Sequence, residues 1–478
     1  MLQFGKRQKD GLALRQLDID HSQEKPGVDM HSGCVFAAAG FLALYIALGD
    51  MVQFLYSSLL FICCLFFLGG ILKKSVSPAA RKIIGLSCAM ALWFLFLQIK
   101  HNTQSGMSHS AELFLTSCLF ALPFAFFVKD QHRRWWLKFF AAAFLVGTVV
   151  MAGFSYMLIL ECLPEALAEY VYWDGARLCA FRHPNIAACY LMIGVGFGLS
   201  FFLAEKTLWK KAAFAIILML LLGVMAFTNS RTTILATGAL LGSSLCFSIF
   251  KGKRKMMLFG VVLAAVVIVG IYAVFGKMYQ KNHDQMLEEY TAQYQQQQAQ
   301  NSETEEPLPI YVNPITGEIT LKMESGQNTL LKDFLSLNGR VVTWQAVFQA
   351  VKESPDILFF GTDNPGNIIS QYRTDYVIYH AHNSWLEALL GMGLPGFVLV
   401  MLLTFITLWN CFLTLWKDHA DVWKRNTALL TLCLMVAAFL EPYLFLAKPP
   451  YHPVDMTFML CAGYLACWQG GHRRKKSA

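Results

Sequence analysis

The stretch from Ala212 to Phe227 reads AAFAIILMLLLGVMAF, and that from Met256 to Phe275 reads MMLFGVVLAAVVIVGIYAVF. Neither holds a charged side chain. A helix on the surface of a soluble protein shows a polar stripe at helical spacing, and these runs show none. Both approach the ~20 residues that carry an α-helix across the hydrocarbon core of a bilayer. Composition agrees: 56% of the 478 residues are hydrophobic and 15% are charged, where a soluble chain carries roughly a quarter charged residues. The mean hydropathy is +0.46. The fold class is therefore an all-α polytopic membrane protein.

Working outward, apolar spans fall at about 34–49, 53–72, 83–99, 111–128, 139–160, 186–204, 212–227, 232–250, 256–276, 384–416, 426–447 and 454–470. The tenth is long enough to hold a short interfacial helix before the span proper. With the N-terminus (Lys6, Arg7, Lys9, Arg15) in the cytoplasm, every alternate loop is basic. These loops hold Lys73, Lys74, Arg81 and Lys82; Lys129, Arg133, Arg134 and Lys138; Lys206, Lys210 and Lys211; Lys251, Lys253, Arg254 and Lys255; and Lys417, Lys424 and Arg425. The tail adds Arg473, Arg474, Lys475 and Lys476. This is the positive-inside pattern, and one miscounted helix would invert it downstream. The expectation is twelve helices in the cytoplasmic membrane with both termini inside. The formal charge of +8 is thus a topology signal, and no nucleic-acid partner is implied.

Thirteen cysteines form no CxxC pair and sit mostly inside apolar runs, where they act as small hydrophobes. The polar first thirty residues lack the short apolar core and cleavage site of a signal peptide, so the first helix is expected to direct insertion. The parts are then a cytoplasmic segment 1–33, helices one to nine over 34–276, an outer loop 277–383, helices ten to twelve over 384–470, and a basic tail 471–478.

Loops as long as 277–383 are usually functional or disordered. Its first part, Lys277 to Gln300, is polar and glutamine-rich. Ile310-Tyr311-Val312 and Glu318-Ile319-Thr320-Leu321 flank Asn313-Pro314-Ile315-Thr316-Gly317, the pattern of a small hairpin. A helix is expected to begin at the cap Asn338. It presents Val341, Trp344, Val347, Phe348 and Val351 on one apolar face and stops at Ser354-Pro355.

A charge in the membrane costs roughly 2.5–3.5 kcal/mol on insertion scales, so each is a functional candidate by default. Here they gather at the outer face. Arg231 follows Thr228-Asn229-Ser230 between two apolar runs; the alternative for it is a snorkelling arginine. Arg177 and Arg182 flank the sixth helix and can equally be interfacial anchors. Arg340 sits in the first turn of the loop helix, where a cation is unfavourable unless an anion compensates it. Arg373 has loop composition around it and reads as solvated. Guanidinium forks suit a diphosphate, and on the outer face a lipid-linked glycan diphosphate fits better than a nucleotide sugar.

His380-Ala381-His382-Asn383 closes the loop. A histidine titrating near neutrality suits general-base work on a sugar hydroxyl; packing at a helix start, or a shared metal with no third ligand nearby, are the other readings. Glu441, near the outer end of the eleventh helix, can pair with one of the arginines. There is no GxxxxGK loop, no Asp-x-Asp site and no nucleophile elbow.

His382-Asn383, nine residues, then Gly393-Leu394-Pro395-Gly396 resembles the histidine–glycine signature of the bacterial O-antigen ligases and of the wider superfamily that includes O-antigen and capsule polymerases. Asn229-Ser230-Arg231, Gly339-Arg340 followed by Trp344, Gly361, and Arg182-His183-Pro184-Asn185 agree with that resemblance, which covers about 180–400 and the topology. It implies transfer of a glycan from undecaprenyl diphosphate to an acceptor hydroxyl, without metal or other cofactor. His382 would activate the acceptor, and Arg231, Arg340 and Arg182 would hold the diphosphate. His380, Asn383 and Glu441 are supporting candidates. The acceptor is a lipid, another glycan or a wall polymer, and membrane lipid is the other partner. The glutamine-rich insert departs from the shorter ligase loops, which leaves the acceptor open between ligase and polymerase; the histidine motif favours the ligase side. A lipid-glycan flippase is the rival from another class, with an envelope scaffold behind it. A flippase would keep charges along a pathway within its helices, whereas these collect at one face.

Overall fold

A computed structural model describes residues 39–40, 42–48, 78–101, 133–174, 177–181, 183–250, 310–312, 319–321, 338–372, 380–418, 420–444 and 452–474, with 285, 288 and 291–292. The expected spans 53–72, 111–128 and 256–276, most of the glutamine-rich stretch, Arg182, Arg373, the charged N-terminal segment and residues 475–478 of the tail lie outside these residues.

The described chain is almost entirely helical. Its helices are α1 (Pro78–His101), α2 (Arg133–Ile159), α3 (Pro184–Ala204), α4 (Leu208–Phe227), α5 (Arg231–Phe250), α6 (Asn338–Glu353), α7 (Pro355–Phe360), α8 (Pro365–Tyr372), α9 (Ser384–Lys417), α10 (Val422–Leu440) and α11 (His452–Arg474). Six of them, α2 to α5, α9 and α10, are long and apolar enough to cross a membrane. Short antiparallel hairpins sit between them. Strands β1 (Val171–Asp174) and β2 (Arg177–Ala180) pair Val171 with Ala180, and β3 (Ile310–Val312) and β4 (Ile319–Leu321) pair Ile310 with Leu321. The β3–β4 hairpin stands where alternation around Asn313–Gly317 puts it. The β1–β2 hairpin had no counterpart in the hydropathy reading.

Helix α3 is the centre of the bundle. Every residue from Ile186 to Ser200 is buried, because α2, α4, α5 and α10 surround it. Small residues permit that density: a β-carbon at Gly194 would stand 2.5 Å from Thr148 Oγ1, the close approach that glycine gives membrane helices. By contrast α4 and α9 turn apolar side chains outward, among them Leu208, Trp209, Met219, Phe405, Trp409 and Phe412. Lipid is the solvent that accepts such a surface.

Two breaks decide where chemistry can sit. Helix α9 bends at Gly393, whose φ of 63° and ψ of −175° lie outside helical space, so its length divides into a short N-terminal piece and a span. Helix α10 ends at Leu440, earlier than hydropathy implied, because Glu441 takes an extended backbone (φ −146°, ψ 151°) ahead of Pro442. Proline disfavours a helical residue before it.

The loop helix α6 starts at Asn338, where the sequence reading puts it, and Ser354 separates it from α7 by capping Ile357 N–H. Its buried face is Thr343, Ala346, Val347 and Ala350. Val341 and Phe348, expected on that face, are exposed. The small residues Thr343, Ala346 and Ala350 let α6 lie close against its neighbours, which rotates the bulkier side chains outward.

The ends of the helices group into two faces. At one, Arg134 pairs with Asp421, Lys424 with Asp418 at 3.6 Å, Lys210 with Glu205 at 3.9 Å, and Arg425 donates to Ser248 at 2.8 Å. At the other, Lys100 of α1 reaches Asp356 of α7 at 2.6 Å and Trp93 donates to the Met392 carbonyl at 2.7 Å.

Candidate active site

The second face holds a buried carboxylate. Glu441 has 4% of its surface exposed, and three side chains from three distant segments meet it. Arg340 Nη2 donates to Oε1 at 2.6 Å, Asn185 Nδ2 donates to the same oxygen at 3.3 Å, and His382 Nδ1 lies 3.3 Å from Oε2. Burial alone would push the Glu441 carboxyl up. The hydrogen bond from His382 and the positive charges of His382, Arg340 and His380 outweigh it and hold the group below its ordinary range.

Local chemistry explains why His382 stands there. Asn383 caps α9, its Oδ1 accepting from Trp385 N at 2.9 Å and Leu386 N at 3.0 Å, while its Nδ2 donates to the Phe439 carbonyl at 3.0 Å. The Ala381 peptide is gripped on both sides: Glu387 Oε2 accepts its N–H at 2.7 Å and Trp344 Nε1 donates to its carbonyl at 3.1 Å. Between these clamps His382 adopts φ 50°, a left-handed conformation that costs a non-glycine residue on the order of 1 kcal/mol or more. The turn is over-determined, and the imidazole is aimed as a result. His380 packs edge-on to His382 with ring centroids 4.2 Å apart. Ser384 ties the same turn to the Glu441 loop, donating to the Glu441 carbonyl at 3.2 Å and accepting from Leu444 N at 3.0 Å.

Arg340 and Trp344 lie one turn apart on α6, so one helix brings the cation to Glu441 and the indole to Ala381. Below them Gly361 (φ 70°) and Gly393 (φ 63°) meet backbone to backbone; a β-carbon at Gly393 would stand 2.4 Å from the Phe359 carbonyl oxygen. The signature glycine thus serves close docking of the loop on bent α9.

Arg231 opens α5 after a turn in which Asn229 has φ 47°. That turn is stitched to the site: Ser230 Oγ lies 3.0 Å from Thr233 Oγ1, which lies 3.2 Å from Tyr443 Oη, and Tyr443 donates to the Asn185 carbonyl at 2.9 Å. Arg177 faces inward, contrary to an anchor in the interface: its Nε donates to the Thr228 carbonyl at 3.0 Å and its Nη2 to Asn185 Oδ1 at 2.6 Å.

The structure therefore gathers His380, His382, Asn383, Arg340 and Glu441, and sets the Arg231 turn beside them. Asn185, Glu387, Ser384 and Tyr443 went unread as site residues. Glu387 had a signal, an acid inside an apolar span; the others had none at short range. Among the described residues no group of three or more His, Cys, Asp or Glu side chains is arranged to hold a metal ion.

Residues 214–401 match the model of the O-antigen ligase family. The match contains Arg231, Arg340, His380, His382 and the two signature glycines, and ends before Glu441. It bears out the resemblance read from the histidine–glycine spacing and supports a glycan-transferring membrane function of the O-antigen ligase or polymerase kind. No curated protein matches the chain.

Proposed function

We propose that the protein moves a glycan from undecaprenyl diphosphate to an acceptor hydroxyl at the outer face of the cytoplasmic membrane, with His382 as general base. The observation that carries this reading is the contact between His382 Nδ1 and Glu441 Oε2. A carboxylate accepts only, so Nδ1 carries the proton and Nε2 keeps its lone pair for a substrate. The acceptor O–H gives its proton to Nε2 as its oxygen bonds to the anomeric carbon. The bond from that carbon to the diphosphate breaks on the opposite side, and the leaving group departs with the electron pair. Arg231 and Arg340, with Arg182 as a third candidate, neutralise the departing charge. Fixed guanidinium donors can do this without a metal ion.

Twelve helices with both termini in the cytoplasm remain our topology. Its support is the convergence of Arg134, Lys210, Lys424 and Arg425 on the face opposite His382, since basic residues mark the cytoplasmic side. A polymerase joining lipid-linked repeat units would use the same groups, with another glycan as acceptor.

The test replaces His382, Arg231 and Arg340 by alanine, each in the native host, and follows surface polysaccharide and lipid-linked precursor alongside membrane levels. Loss of attached glycan with accumulation of full-length chains on undecaprenyl diphosphate marks a ligase; accumulation of single repeat units marks a polymerase. Three normally inserted variants with wild-type polysaccharide would overturn the catalytic assignment.

A further inference from the structure

The strongest unexplained arrangement is the guanidinium of Arg177, held on the β1–β2 hairpin and outside the family match of 214–401. An arginine that merely anchors a hairpin at the interface keeps its head in the headgroup region. This one spends two donors inward, Nη2 on Asn185 Oδ1 at 2.6 Å and Nε on the Thr228 carbonyl at 3.0 Å. Guanidinium has donors only, so the amide oxygen of Asn185 must face Arg177 and its NH₂ must face the acceptor Glu441. The amide cannot turn over without placing NH₂ against guanidinium and oxygen against carboxylate. The second arm holds the carbonyl just before Asn229, in the turn that leads to Arg231.

We infer that Arg177 and Asn185 form a positioning relay, fixing through one side chain both the carboxylate that orients His382 and the turn that presents Arg231. The relay rests on the proposed role of His382, but its physical effect on that histidine exists whatever the reaction. Glu441 shares its charge among three partners, His382 from the loop, Arg340 from α6 and Asn185 from α3, with the His380 charge acting at longer range and Cys189 and Tyr443 as further titratable groups that feel it. When Asn185 is correctly turned, less of that charge is left for the imidazole. Releasing Asn185 returns it.

The experiment titrates His382 by diethyl pyrocarbonate modification of the purified full-length protein in lipid nanodiscs, read at the single residue by tandem mass spectrometry across pH. In Arg177→Met the midpoint for His382 is expected to rise by about half a unit, the scale of one modest hydrogen bond expressed as a titration shift. Arg177→Lys, which keeps a donor and the charge, should recover part of it. In an Asn185→Ala background, Arg177→Met should add no further shift, because the effect travels through the amide. An unmoved midpoint in Arg177→Met, or a shift that persists undiminished without Asn185, overturns the relay. If Arg177→Met does not accumulate in membranes, Arg177→Gln carries the same comparison. Because modification needs no turnover, the relay stands or falls on the His382 midpoint alone, while the proposed function stands or falls on whether His382→Ala still makes polysaccharide.

Discussion

The two ends of the bundle both bury charge, and they do so differently. At the Asp421 end three described pairs each set one cation against one carboxylate: Arg134 with Asp421, Lys424 with Asp418, Lys210 with Glu205. At the Glu441 end a single buried carboxylate is shared by Arg340, Asn185 and His382, and the histidine and arginine each keep 31% of their side-chain surface exposed. Paired ends hold helices in register; a shared carboxylate holds reactive groups that still face outward. The difference is the physical ground for placing chemistry at one end and assembly at the other.

Breaking the shared end should cost most. Glu441→Gln keeps the shape and removes the charge, so it should lower glycan transfer on the order of 10²-fold, the low end of what a positioned acid–base pair contributes. Membrane yield should change far less than product. The same variant sharpens the comparison through pH. Glu441 titrates well below its ordinary 4.5 in the folded protein, so its contribution to stability is complete above about pH 4.5 and is lost as pH falls through the folded value. The thermal stability gap between wild type and Glu441→Gln should therefore close on acidification; a gap that widens would contradict the charge distribution described above.

A smaller effect is expected one layer away. Gly393→Ala places a methyl group 2.4 Å from the Phe359 carbonyl oxygen at a positive φ. The loop must shift, and transfer should fall roughly tenfold, since ~1 Å of misplacement far from the reacting atoms can cost as much as 10²-fold. Limited proteolysis near α7 should accelerate in parallel. The smallest effect belongs to the paired end. Removing Arg134 and Asp421 singly and together should reveal a coupling of about 1 kcal/mol or less in stability, typical of partly exposed pairs, with product chain length unchanged. A loss of transfer as large as that of Glu441→Gln would erase the distinction between the two ends.

Much of this was legible in the sequence, for identifiable reasons. Hydropathy located the helices because lipid demands unbroken apolar runs, and it failed at Leu440 because Pro442 ends a helix regardless of how apolar the following residues are. His382, Asn383 and Arg340 were singled out because a cap, a helix start and a fixed glycine spacing are local patterns. The contacts of Asn185 and Arg177 were not legible, since one such as Asn185 to Glu441 spans 256 positions and no local period encodes it. The left-handed backbone at His382 was also hidden: it is imposed by Trp344 and Glu387 on the neighbouring peptide, not by the histidine itself.

The docking of Gly361 on Gly393, together with the grip of Trp344 on Ala381, has a consequence for how such a chain can diversify. Both pins lie after residue 338, so Arg340 keeps its register with His382 however the stretch from 277 to 337 changes. That stretch is a splice site in the evolutionary sense. Inserts of different length or composition can be exchanged there, while the groups proposed to act on the glycosyl–phosphate bond keep their arrangement.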